Sequence, residues 1–106
     1  MEQRAKKIVI ITEKVILEGV TEIIEECGGT GYTVTAATGK GSRGIRSDSR
    51  VSADATANVK IEAIVSGTEI ADEIARRING EYFENYSGII YALDVEILRP
   101  DKFQKP

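Results

Sequence analysis

Two stretches of the chain follow one order, a β-branched run, an amphipathic helical segment and an alternating strand, and a Gly/Ser/Arg-rich segment joins them. The first opens with KIVIIT at residues 7–12, flanked by charge and read as a strand. Ile16, Val20, Ile23, Ile24 and Cys27 then recur on one face, which predicts a helix over 13–27. Thr12 is its expected N-cap, Glu13 suits the positive end of the helix dipole, and Gly28 and Gly29 stop it. GYTVTAA follows as a strand, with Tyr32, Val34 and Ala36 facing one way and Thr33 and Thr35 the other.

In the second stretch Ala57, Val59, Ile61, Ala63 and Val65 share one face of a strand, leaving Asn58, Lys60, Glu62 and Ile64 on the other. Ser66 with Glu69 reads as a capping box for a helix whose stripe is Ile70, Ala71, Ile74, Ala75 and Ile78, and Asn79 and Gly80 end it. After EYFENYSG a last strand spans 89–97, and the charged tail RPDKFQKP is expected to be extended or mobile. This βαββαβ order predicts a ferredoxin-like α+β fold, an antiparallel four-stranded sheet with both helices on one face. With 106 residues there is room for one domain. Two helices leave the other sheet face uncovered. Residues 8–11 place β-branched side chains on both faces of their strand, and Ile64, Ile90 and Ala92 are expected on the back, so an oligomer packed sheet against sheet is predicted, with a monomer that tolerates a few exposed isoleucines as the alternative.

The inventory excludes several chemistries. A formal charge of −3 gives no global reason to bind nucleic acid, and with no histidine and one cysteine, Cys27, there is no His-based triad, Cys/His zinc site or intrachain disulfide. The aliphatic run at 8–11 falls far below the roughly 18–20 residues of a membrane span. MEQRAKK leads into no signal-peptide core, and a soluble cytoplasmic protein is expected.

Against that acidic background, GKGSRGIRSDSR at 39–50 carries Lys40, Arg43, Arg46 and Arg50 against Asp48, a local charge of +3. Glycines let backbone N–H groups turn toward a phosphate, Ser42 adds a hydroxyl and the arginines supply planar forks. The string departs from a Walker A loop at Val34 and Gly41 and is not a dinucleotide fingerprint. A solvated connector and a phosphate site both remain open for it, although an 18-residue connection at 39–56 is longer than a hairpin needs. Tyr82, Phe83, Tyr86 and Tyr91 fit core better than base stacking, Glu25 and Glu26 fit a solvated helix face better than metal ligands, and Cys27 reads as a buried small hydrophobe.

The segments KIVIITEKV, GYTVTAATGKGSRGIRS, NVKIEAI and YFENYSGIIYALDVEIL resemble the PII-like signalling proteins, and closely their SbtB branch in cyanobacteria, over residues 6–98. The resemblance implies a homotrimer of ferredoxin-like subunits that binds cAMP, AMP, ADP and ATP in clefts between subunits. It also implies a partner, the membrane bicarbonate transporter SbtA, engaged peripherally at the membrane through the basic loop at 39–56, the T-loop of that family. Carried over by position, Lys40, Gly41, Ser42, Arg43 and Arg46 match phosphate-binding residues. Thr33, Gly39, Asn58, Glu62 and Ile64 match positions near base and ribose, Gly39 also opening the loop, and Gly88 and Ile89 match the turn at the other wall. Departures limit the transfer. Ile89 stands where nitrogen-signalling members carry a lysine, so a 2-oxoglutarate response is not inherited. GIRSDSRVSADA has no tyrosine for uridylylation, and DKFQKP stands where many SbtB proteins have CGPxGC, so the resemblance does not extend to redox control or to any nucleotide hydrolysis tied to that tail.

The expected function is therefore a non-enzymatic sensor in which nucleotide binding orders the 39–56 loop and changes its affinity for a transporter. Mg²⁺ or Ca²⁺ would arrive with ATP, held mainly by phosphate oxygens. A slow ATP or ADP phosphoanhydride hydrolase in the same cleft is the alternative, although no residue stands out as a base for water. An RNA-binding module of this fold would need outward aromatics on its central strands, and KIVIIT and NVKIEAI have none.

Overall fold

The structure is a computed structural model and describes residues 3–38, 40–41, 44–45 and 57–99, with residues 3, 40, 41, 44 and 45 described by backbone alone. In chain order these form β1 (Gln3–Glu13), a 3-10 turn (Lys14–Ile16), α1 (Leu17–Glu26), β2 (Thr33–Ala37), β3 (Lys40–Gly41), β4 (Gly44–Ile45), β5 (Asn58–Val65), α2 (Thr68–Glu81) and β6 (Gly88–Ile97). The main sheet has the order β2-β5-β1-β6 with every neighbouring pair antiparallel, which is the expected ferredoxin-like plan. Within the basic segment, β3 and β4 pair as a separate two-stranded piece.

Register decides which face each side chain serves. Ile8 lies opposite Ala63, Ile10 opposite Ile61 and Thr12 opposite Val59, and all six are buried on the helix side. Val20, Ile23 and Ile24 of α1 and Ala71, Ile74 and Ile78 of α2 close that core. Each buried isoleucine contributes about 1.5–3 kcal/mol relative to exposure. The periodicity at 16–27 and 70–78 thus locates both buried stripes, although Ile70, Ala75 and Cys27 are only half-buried.

Element ends differ from expectation where local contacts override local signals. β1 begins at Gln3 rather than Lys7, because β6 continues to pair with it as far as Ile97. Thr12 is no N-cap: it sits in β1, where its hydroxyl donates to the Ser87 carbonyl at 2.8 Å. Nor does Glu13 serve the helix dipole, since its carboxylate accepts from Ser87. Ser66 and Glu69 form no capping box; extended Gly67 precedes α2, and no side chain caps it. Asn79 and Gly80 do not end α2. Asn79 bonds back to the Ala75 carbonyl at 2.9 Å, and the helix continues to Glu81. Gly28, at φ 105°, does end α1.

The uncovered face also needs correction. Ile90 and Ala92 lie opposite Ile10 and Ile8, which puts them on the helix side; the back of β6 carries Ile89, Tyr91 and Leu93 instead. With Ile64 on β5 these are 53%, 43%, 46% and 37% exposed, a set of large apolar groups on one sheet face.

Gly80→Ala should raise stability by about 0.5–1 kcal/mol, because Gly80 is helical and open space surrounds it. Gly88→Ala should lower it by about 1–3 kcal/mol, because the new Cβ would lie 2.5 Å from the Phe83 ring. Urea midpoints check both, and an earlier transition for Gly80→Ala would show that the helix ends before that glycine.

Candidate functional site

On the back of the sheet, at its β2 edge, Thr30, Gly31, Tyr32, Thr33, Glu62 and Ile64 line a depression of about 260 Å³. Its floor follows from strand pairing: Thr33 is directly opposite Glu62, and Ile64 is the next residue of β5 on the same face. One wall is therefore apolar, one carries a hydroxyl and a third a carboxylate. The lining thus offers a ligand an apolar contact, a hydroxyl and a carboxylate acceptor.

The Glu62 carboxylate is held by Lys7 Nζ at 3.1 Å from the neighbouring strand and by Lys60 Nζ at 3.5 Å from its own. The hydrogen bond from Lys7, aided by the charge of Lys60, keeps Glu62 below the ordinary value of 4.5. Above that value Glu62 is an obligate acceptor, fit for hydroxyl or amino donors. Both lysines are engaged with it, so an anionic ligand tail would need its cations from elsewhere.

Of the residues expected near base and ribose, Thr33, Glu62 and Ile64 meet at this depression. Asn58 does not. It is buried at the start of β5, opposite Ala37 and Glu13, where the chain re-enters the sheet after the basic segment. Gly88 and Ile89 lie on β6, the opposite edge, three strand spacings or about 14 Å from the β2 edge. They are therefore no part of this depression within one chain. Lys40 and Gly41 form β3, but only their backbone is described, and Gly39, Ser42, Arg43 and Arg46 lie outside the described residues.

The β6 edge is tightly made. Thr12 and Glu13 hold Ser87, and the Phe83 ring and Thr12 Oγ1 approach Gly88 too closely for any side chain there. Tyr82 and Tyr86 meet edge to face with ring centres 6.3 Å apart, and with Phe83 they pack on the core, whereas Tyr91 stands on the exposed back face. Glu25 and Glu26 are exposed, Glu26 pairing with Arg77 at 2.8 Å. Cys27 is half-buried rather than buried, and Arg77 lies over part of it with Nη1 at 3.9 Å from the sulfur. Reading the sequence missed Tyr32 at the depression and Lys7 and Lys60 as the partners of Glu62. The alternation placed Lys60 beside Glu62, whereas Lys7 is brought there by the β1–β5 register, which no local pattern reveals.

The chain matches the family described as nitrogen regulatory protein P-II over residues 5–102. Among solved structures it is similar to a PII-like signalling protein from Thermus thermophilus, at 36% identity and a TM-score of 0.78, covering 95% of this chain and 96% of that one. It is also similar to CPII, a nitrogen regulatory PII-like protein from Thiomonas intermedia bound to ADP, AMP and bicarbonate, at 28% identity and a TM-score of 0.83, covering 94% and 93%. A further CPII structure, bound to ADP and bicarbonate, matches at 28% identity and a TM-score of 0.81, covering 98% of each chain.

The Glu62 carboxyl should titrate below 4.5 by carbon NMR, and Lys7→Met should move its midpoint upward. Because the folded value is depressed, this pairing stabilises the fold above the unfolded value and is lost as pH falls through the folded one. An unchanged midpoint in the Lys7→Met protein would show that Lys7 is not the cause.

Proposed function

The chain belongs to the nitrogen regulatory protein P-II family, and from that premise we propose that it is a signalling protein that binds adenine nucleotides between copies of itself. The observation that carries this reading is the split site. Thr33, Glu62 and Ile64 line the depression at the β2 edge, while Gly88 and Ile89, which the resemblance assigns to the other wall, lie on the β6 edge of the same sheet. A neighbouring copy that brings its β6 edge to the β2 edge of the first completes both walls. The apolar back faces, with Ile64, Ile89, Tyr91 and Leu93, give the copies a reason to associate, and a closed ring of three is the assembly we assign.

Within this cleft the adenine ring takes the Ile64 side, a ribose hydroxyl donates to Glu62, and the phosphates point to Lys40, Gly41, Ser42, Arg43 and Arg46. Gly39 and Asn58 frame the ends of the basic segment. Ligation of ADP and AMP in CPII supports adenine nucleotides as the class, and cAMP and ATP extend it by the resemblance to SbtB. Phosphates that pair with Arg43 and Arg46 in one loop arrangement favour that arrangement by their differential binding energy. The ordered or released loop then addresses a membrane transporter for bicarbonate, of the SbtA type. The bicarbonate held by CPII agrees with a role in inorganic-carbon handling.

A regulatory role is favoured over phosphoanhydride hydrolysis by the chemistry of Glu62. It is the carboxylate at the depression, and a lowered pKa makes it a weak base for water. A divalent ion accompanying ATP would rest on phosphate oxygens, since the described residues gather no cluster of three or more metal-ligating side chains. Among the described residues no helix is long and apolar enough to cross a membrane, so contact with a transporter would be peripheral.

Calorimetry should show ADP and AMP binding to an assembly whose mass by light scattering is that of three chains. Arg46→Ala should weaken ADP at least about tenfold, the scale of a lost charge-assisted hydrogen bond, without changing the assembly. A single-chain mass with no heat on adding ADP, AMP, cAMP or ATP would end the proposal, and unchanged affinity in Arg46→Ala would remove that residue's role.

A further inference from the structure

Three consecutive residues at the end of β1 hold two distant parts of the chain. Thr12 Oγ1 donates to the Ser87 carbonyl at 2.8 Å in a buried bond. The next residue, Glu13, accepts through one carboxylate oxygen, Oε2, both the Ser87 N–H at 2.7 Å and the Ser87 hydroxyl at 3.2 Å. Lys14 donates its N–H to the Ala57 carbonyl at 2.8 Å. Ala57 is the residue at which the chain comes back from the basic segment into β5, and Ser87 is the residue just before Gly88.

The backbone ladder between β1 and β6 ends at Thr12 and Gly88. Ser87 lies one residue beyond that last rung, so side chains hold it where the ladder no longer does. A charged acceptor gives stronger and shorter bonds than a neutral one, and here a single oxygen takes two donors from one residue. Gly88 is at the same time confined by Phe83 and Thr12. The Ser87–Gly88 turn is thus fixed relative to β1 from two sides, and the re-entry point at Ala57 is fixed to the next residue of the same stretch.

We propose that Glu13 is a positioning residue for the nucleotide: through Ser87 it sets the turn wall at Gly88 and Ile89, and through its neighbour Lys14 it keeps that wall in fixed relation to the base of the basic segment. Glu13 itself does not touch the ligand. This rests on the cleft assigned above and adds how one of its walls is registered with the loop. Binding at the wall then stiffens Ala57 as well, because both hang from residues 12–14.

Two substitutions of nearly equal length separate the role from general stability. Glu13→Met removes the acceptor, and Glu13→Gln keeps an acceptor oxygen without the charge. ADP affinity should fall about tenfold in Glu13→Met and about threefold or less in Glu13→Gln, since the bond to the backbone N–H survives in the latter. In the unaltered protein, ADP should slow amide exchange at Ser87 and at Lys14 together. Wild-type affinity in Glu13→Met, an equal loss in both variants, or slowing at Ser87 with none at Lys14 would each overturn the proposal. Where Glu13→Met does not fold, the exchange measurement on the unaltered chain decides. A complete lack of ADP binding by the unaltered chain is a different result: it removes the cleft, and this inference with it.

Discussion

Two helices can cover one face of a four-stranded sheet and not both. Here Val20, Ile23 and Ile24 from one helix and Ala71, Ile74 and Ile78 from the other close over Ile8, Ile10 and Ile61, and that packing exhausts the helices. The back face keeps Ile64, Ile89, Tyr91 and Leu93 at the surface. Burial of such groups against another copy is worth about 25 cal/mol per Å² of apolar area before the costs of association are counted. The depression lined by Glu62 and Ile64 opens on the same face, so the proposed association and the proposed ligand site share one surface.

The division of charge follows from the same constraint. Lys7 and Lys60 lie on the back face beside Glu62 and are engaged by it, which offsets their charge next to the depression. The positive charge for an anionic tail is concentrated in the segment between β2 and β5, with Lys40, Arg43, Arg46 and Arg50. In the proposed function the sheet takes the base and the basic segment takes the phosphates, an arrangement by which one ligand would bias that segment without disturbing the core.

Much of the fold was legible because hydrophobic periodicity is a direct consequence of which face is buried. The stripe at Ile74 and Ile78 and the alternation from Val59 to Val65 each report their own burial. Element ends were less legible because they depend on distant partners: Thr12 looks like a cap until Ser87, 75 residues away, takes its hydroxyl. The faces of β6 were misassigned at Ile90 and Ala92 because an alternating strand in which both faces carry apolar residues does not announce its register. Of the candidate site, Thr33, Glu62 and Ile64 were named through resemblance, and strand register brings them together at one depression. Lys7 was not, since only the pairing of β1 with β5 carries it to Glu62.

The central claim is that one nucleotide is held by two chains, each supplying a different sheet edge. It is tested most directly by mixing two variants, Thr33→Arg, which blocks the depression at the β2 edge, and Ile89→Ser, which strips the β6-edge wall without placing a charge on the associating face, where Ile64, Tyr91 and Leu93 remain. Each alone should assemble and leave ADP unbound. Unfolded and refolded together, they should regain ADP binding in those clefts that draw both intact walls. Mixed assemblies that bind no ADP, or either variant binding ADP at full stoichiometry by itself, would contradict a cleft shared between chains.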